Sequence, residues 1–203
     1  MKMTIDPIHD RHGPPPVPAG LVRVVGHWQD LCRGRAVPAE DDLDPGALGP
    51  WLAQGALLER PPVAGCAAPR IRLAGAGLSA LSPAAKRGTP LCALFAPAER
   101  DRLHALAAGA LDGPGPAIIR AYALRRTLPD RRYFIDIALL PLAAPDGAVT
   151  RAFLWFDRPG WRLAAEPCAL GIRAGWALPR RLQDATGKPG LRVIRGGRDT
   201  TPA

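Results

Sequence analysis

Between Ala117 and Arg158 the chain carries three apolar runs of strand length, Ala117–Arg126, Arg132–Leu142 and Val149–Arg158. Only five or six residues separate them. Links that short cannot cross a sheet to make parallel neighbours, so the three runs must be antiparallel. The second link contains Asp146-Gly147, a dipeptide suited to a tight hairpin turn. The middle run is apolar on both of its faces. Tyr133, Ile135, Ile137 and Leu139 fall on one, and Phe134, Ala138 and Leu140 on the other. A sheet built around it needs cover on both sides.

The rest of the sequence supplies that cover. Gln54–Arg60 and Pro69–Ala74 read as two further strands, the second alternating Arg70 and Arg72 with Ile71 and Leu73. A short helix over Leu78–Lys86 and an apolar turn over Leu91–Phe95 follow. Pro97–Leu111 is the main helix. Pro97 sits in its first turn, with Glu99 and Asp101 at its positive end. Leu103, Leu106, Ala107, Ala110 and Leu111 form one stripe, and Gly113-Pro114-Gly115-Pro116 ends it. Residues 19–33 form a second amphipathic helix, striped by Leu21, Val24, Val25, Trp28, Leu31 and Cys32 and stopped at Gly34. Its stripe must lie against the core domain or against a second copy of the chain. In the connector after it, Asp42 or Asp44 is placed to cap a helix opened by Pro45. The expected fold class is α+β: a five-stranded antiparallel sheet with inserted helices, preceded by the amphipathic N-terminal helix.

A length of 203 residues fits one domain with extensions. The expected division is an arm, 1–18; the N-terminal helix and connector, 19–49; the sheet domain, 50–158; and a basic, partly disordered tail, 159–203. The arm holds a Pro14-Pro15-Pro16 run and no apolar signal core. In the tail eight basic residues face three acids and periodicity is poor. Net charge is +9, but only Lys2, Lys86 and Lys188 are lysines. Arg, Ala, Gly and Pro dominate together, which attributes part of the Arg excess to composition. Cys32, Cys66, Cys92 and Cys168 make no Cys-x-x-Cys pair, so they point to neither zinc nor redox chemistry. No window approaches the roughly 18–20 consecutive apolar residues of a membrane span, so the expectation is a cytoplasmic protein without membrane insertion.

Several of these residues form a pattern. Trp28, Leu31-Cys32-Arg33-Gly34-Arg35, Pro38, Asp44-Pro45, Arg70-Ile71-Arg72-Leu73-Ala74-Gly75 and Leu139-Leu140-Pro141-Leu142 together resemble a bacterial family of small single-domain PAS-like proteins. The resemblance covers about residues 20–158. It departs at Cys32, where a second basic residue is expected, and in the tail. It implies a sensory or protein-interaction module with no shared catalytic residues and names no ligand.

No catalytic constellation competes with that reading, and the expectation is a protein that is not an enzyme. Gly75-Ala76-Gly77 follows a strand but opens too short a helix for a dinucleotide site. Cys92 lies in an apolar turn that suits an inert thiol. His104 is the one histidine placed to ligate haem, and a core-edge histidine explains it as well. Asp136, a charge inside an apolar strand, needs a partner if buried, and Arg72 or Arg120 could serve. The candidate ligand pocket is therefore Arg72, Arg120, Tyr122, Phe134, Asp136 and Trp155. The candidate interaction helix presents Leu21, Val25, Trp28, Leu31, Arg33 and Arg35. No cofactor is expected, although an unidentified small molecule fits the pocket. The partner expected is a signalling protein such as a kinase or regulator, or a second copy in a homodimer. The alternative is a nucleic-acid-associated protein binding through its basic tail, where Trp161 and Trp176 are the only aromatic residues; nucleic acid is the less favoured partner.

Overall fold

A computed structural model describes residues 18–61, 68–82, 84–124, 133–157 and 169–177. Helix α1 (Ala19–Cys32) leads through a 3-10 turn (Glu40–Asp42) to α2 (Pro45–Leu52) and strand β1 (Gly55–Glu59). Strand β2 (Arg70–Ala74), helices α3 (Ala76–Leu81) and α4 (Arg100–Asp112), then β3 (Ala117–Leu124), β4 (Tyr133–Leu142), β5 (Arg151–Asp157) and β6 (Ala169–Ala177) follow. They form one sheet in the order β2-β1-β5-β4-β3-β6. Every pairing is antiparallel. The class and the N-terminal helix are as the sequence implies.

The sheet has six strands, however, not five. The sixth lies within residues 159–203, which the sequence suggests are a tail. Gly171 and Gly175 weaken its strand signal because glycine has no side chain to pack. Here each makes room for a neighbour. A Cβ at Gly171 would come within 2.4 Å of Tyr122 Cζ, and one at Gly175 within 2.5 Å of Leu106 Cδ1. Leu170 and Ile172, on either side of Gly171, point into the inner core. The free edge of β6 is covered in part: the Ala96 N–H donates to Leu170 O, and the Arg102 guanidinium to Ile172 O at 3.0 Å. Covered edges resist pairing with other chains. The arm and the remainder of the tail lie outside the described residues.

The two faces of the sheet carry two separate cores. On the inner face, Leu58, Ile71, Ile119, Ile135, Ile137, Leu139, Leu154 and Phe156 pack against Leu78 of α3, Leu91, Leu94 and Phe95, and the Leu103–Leu111 stripe of α4. On the outer face, Ile118, Ala138, Leu140, Leu142, Phe153 and Trp155 meet Leu21, Val24, Val25 and Trp28 of α1. The α1 stripe is therefore buried against its own sheet. Trp28 is 1% exposed and its indole N–H donates to Pro141 O at 2.8 Å. Pro141 lies beyond the last β3–β4 pair, Ala117↔Leu139, where a strand tolerates a residue without an N–H.

The C-terminal end of α1 is clamped locally. Arg33 adopts a left-handed conformation ahead of Gly34. The Arg35 guanidinium donates to Leu31 O, Cys32 O and, at 2.6 Å, Asp42 Oδ2. The Ala39 N–H donates to the same carboxylate oxygen at 2.7 Å. Burial opposes the Asp42 charge, but the Ala39 N–H, the Arg35 hydrogen bond and the charges of Arg35 and Arg33 outweigh it, holding the carboxyl below its ordinary 3.8. Asp44, not Asp42, caps α2 by accepting from the Gly46 N–H. The connector then runs along the end of β4 through Glu40 N–H to Ala143 O and Ala143 N–H to Pro38 O.

Candidate functional site

Helix α1 covers only part of the outer face. Past its first turn, the ends of β6, β3, β4 and β5 form an open corner arranged in cross-strand rows. Strand register builds them, because residues opposite one another on neighbouring strands share a face. Ile118, Ala138 and Trp155 form the row beneath α1. The next row sets Arg120 opposite Asp136, and Asp136 opposite Asp157. The last sets Gly171 opposite Tyr122 and Tyr122 opposite Phe134.

The charged row is the most polar part of the interior. Asp136 is 8% exposed and is the one charged residue of β4. It is held by the Arg120 guanidinium, Nε to Oδ1 at 2.6 Å and Nη2 to Oδ2 at 2.9 Å. Two parallel bonds in a fork satisfy a planar carboxylate, which allows a charge to sit this deep. Asp157 lies against the start of α1: a Cβ on Gly20 would stand 3.2 Å from Asp157 Oδ2 and 2.8 Å from Trp155 Cη2. α1 has no acidic residue in its first turn and no side-chain cap. Asp157 thus brings a negative charge to the positive end of the helix dipole. The Trp155 indole N–H is buried with no acceptor among the described residues.

The aromatic row is more open. Phe134 is 41% exposed, the one aromatic among the large exposed apolar residues described. The Arg173 guanidinium lies 5.7 Å from the centre of its ring, a cation–π contact. Tyr122 lies over Gly171.

Arg120, Tyr122, Phe134 and Asp136 are thus brought together, with Trp155 in the adjoining row. Arg72 is not with them. It lies on edge strand β2, bonded to Glu40 at 2.6 Å and near Glu59 at 3.4 Å, while Arg151 also pairs with Glu40. The choice of partner for Asp136 falls to Arg120 because β3 is its neighbour and β2 is three strands away. The pair faces the α1 side, not the inserted helices. Sequence reasoning missed Arg173 and Asp157, since the first lies in the unrecognised β6 and the second ends β5.

The residues of the candidate interaction helix are divided between core and surface. Leu21, Val25 and Trp28 are core residues, Leu31 is half-buried, Arg33 is exposed, and Arg35 is committed to the clamp. A stripe used within the chain is closed to a partner unless α1 leaves the sheet. His104 is half-buried on α4, and its buried Nε2 has no partner among the described residues. Cys92 packs against the inner core. Among the described residues no His, Cys, Asp and Glu group could hold a metal ion, and no helix is long and apolar enough to cross a membrane.

A twisted antiparallel sheet with its helices inserted between β2 and β3, and an amphipathic helix closing the opposite face, defines an α+β domain of the PAS class. A PAS domain family model matches residues 18–154, well over half of the chain, and the chain belongs to that family. The match ends before β6. No curated protein matches the chain. PAS domains are in general sensory or regulatory modules, typically without catalysis, and commonly engage signalling partners.

Proposed function

We propose that this chain is a non-catalytic regulatory module that takes its ligand or signalling partner at the open corner of the outer sheet face, with α1 carrying the response. One observation supports this most: the charged row runs without a break from Arg120 through Asp136 and Asp157 to Gly20 of α1. A group bound at the corner changes the environment of the helix's first turn directly. A ligand shifts a two-state packing only by its differential affinity for the two states, and here Asp157, at the end of the charged row, borders the first turn of α1. The inner face offers less. It is packed with Leu, Ile, Phe and Ala, and Asp136, the charged residue among the buried set, points the other way.

Hydrogen exchange tests the coupling. Replacing Asp136 by Ala frees Arg120 and lowers protection in the first turns of α1, residues 19–24, more than in residues 27–32. Uniform protection across α1 in that variant contradicts the proposal. Native mass spectrometry of the purified chain reports a retained small molecule or protein and the oligomeric state together.

A further inference from the structure

We infer that the open edge of β2 is a docking site for an extended, acidic segment of another protein, which adds to the sheet as a further strand. That edge lies at the opposite end of the sheet from the corner beside β6 and is independent of it. β2 is the last strand on its side. Its first half is covered by the turn before Pro90: the Ile71 N–H donates to Thr89 O, and the Gly88 N–H to Ile71 O. Among the described residues, no backbone bond from that turn reaches past Ile71. An uncovered edge presents main-chain donors and acceptors to any extended chain that can reach them.

The side chains beside the edge suit one kind of chain. By strict alternation Ile71 and Leu73 would share the inner face. A bulge breaks the alternation: Leu58 faces Ile71 but Leu57 faces Leu73, which leaves Arg72 as the extra residue. Bulges re-aim side chains. Ile71 is 1% exposed, whereas Leu73 is 56% exposed. Leu73 instead walls a cavity of about 230 Å³ with Leu52, Leu57, Ala74 and Gly75. One bulky apolar side chain of an added strand fits there.

Charge selects the occupant. At this end of the sheet Arg72 and Arg151 are matched by Glu40 and Glu59, and Arg60 by Asp112. Arg70, Lys86 and Arg87 are exposed, and none of them pairs with a carboxylate among the described residues. The Arg70 guanidinium donates only to Gly88 O among those residues. Lys86 and Arg87 stand just before Gly88 in the turn that pairs with β2. Even with the exposed Asp41 of the connector counted against them, positive charge is in excess. Two copies joined edge to edge would bring the same cations together, and like charges across a strand pair destabilise it. A nucleic acid would meet the charge but has no amide ladder for the edge. An acidic peptide with alternate apolar residues satisfies the edge, the cavity and the cations at once.

Fluorescence anisotropy of the full chain with a labelled peptide of about eight residues, alternating glutamate with leucine, tests this. The titration is run at about 50 mM salt, where charge is least screened. The same peptide with every amide N-methylated, a version with lysine for glutamate, and an oligothymidylate of equal charge run in parallel. The acidic peptide is expected to bind more tightly than all three, and to add hydrogen-exchange protection at residues 72–74. Leu73→Ala is expected to lower its affinity several-fold, and Lys86→Glu with Arg87→Glu by roughly tenfold. These side chains are exposed, so the variants keep the fold. No binding overturns the inference. So does equal binding of the N-methylated peptide or of the oligothymidylate, binding that Leu73→Ala leaves intact, or protection gained elsewhere than at residues 72–74. A dimer of the free chain that Leu73→Ala dissociates also overturns it, because the edge would then belong to a second copy.

Discussion

The two faces of this sheet are built from nearly the same residues and end up different. The inner face is closed by α3, α4 and the turn between them, and its Leu, Ile and Phe side chains are almost entirely buried. The outer face is closed by α1, helped by Val37 of the connector and by Trp51 and Leu52 of α2; α1 reaches from Trp28 and Pro141 at one end to Gly20 and Trp155 at the other and then stops. Beyond that point the face changes from apolar to charged to aromatic within two rows. Burial on the inner side fixes the fold, whereas partial burial on the outer side leaves Phe134 positioned by a rigid sheet and reachable from solvent, with the buried Arg120–Asp136 pair in the row beside it. Sites built on strands hold their geometry better than sites on loops, which is the physical ground for proposing the outer corner as the docking face.

Substitutions along the outer face should trace that gradient. Trp28→Ala removes a fully buried indole and its bond to Pro141 O, and about 3–5 kcal/mol of stability should go with it in denaturant unfolding. A much smaller loss would mean that α1 is loosely held and the outer face more open than described. Asp136→Ala leaves Arg120 without its partner and should cost about 3 kcal/mol, while Arg120→Met with Asp136→Leu recovers most of it, because an apolar pair of similar volume replaces the buried ions. Failure of the double variant to recover would show that the charged row is needed for folding itself. Phe134→Ala should change stability by no more than about 0.5 kcal/mol, since the ring is half in solvent. A larger loss would place Phe134 in the core and remove the contrast.

The smallest effect concerns the clamp at the other end of α1. The Asp42 carboxyl is held below 3.8, so its contribution is complete above that value and is lost as pH falls through the lowered one. The stability difference between the wild type and Asp42→Asn should be constant near neutrality and shrink below about pH 4. A difference that grows with acid would mean that Asp42 is not the charged partner of Arg35.

Much of this architecture can be read from the residues. Five strands, the main helix and the α1 stripe follow from periodicity, and Asp136 stands out as a charge in an apolar run. Three things cannot be read that way. The stripe of α1 says that it must be buried but not by what; only the paired surface of β4 and β5 decides. Strand β6 hides behind Gly171 and Gly175, whose reason lies in Tyr122 and Leu106, distant in sequence. The exposure of Phe134 depends on where α1 stops over the sheet, and no local pattern in β4 distinguishes it from Leu140. Arg173 and Asp157 escape notice for the same reason: their meaning comes from register.

Hydrogen exchange of residues 19–32 over a dilution series, with mass measured in parallel, tests most directly whether α1 closes its own sheet. Protection that stays constant as the protein is diluted is the predicted result. Protection that collapses together with a fall in mass would mean that the helix is shared between copies, and that the outer face of an isolated chain is bare.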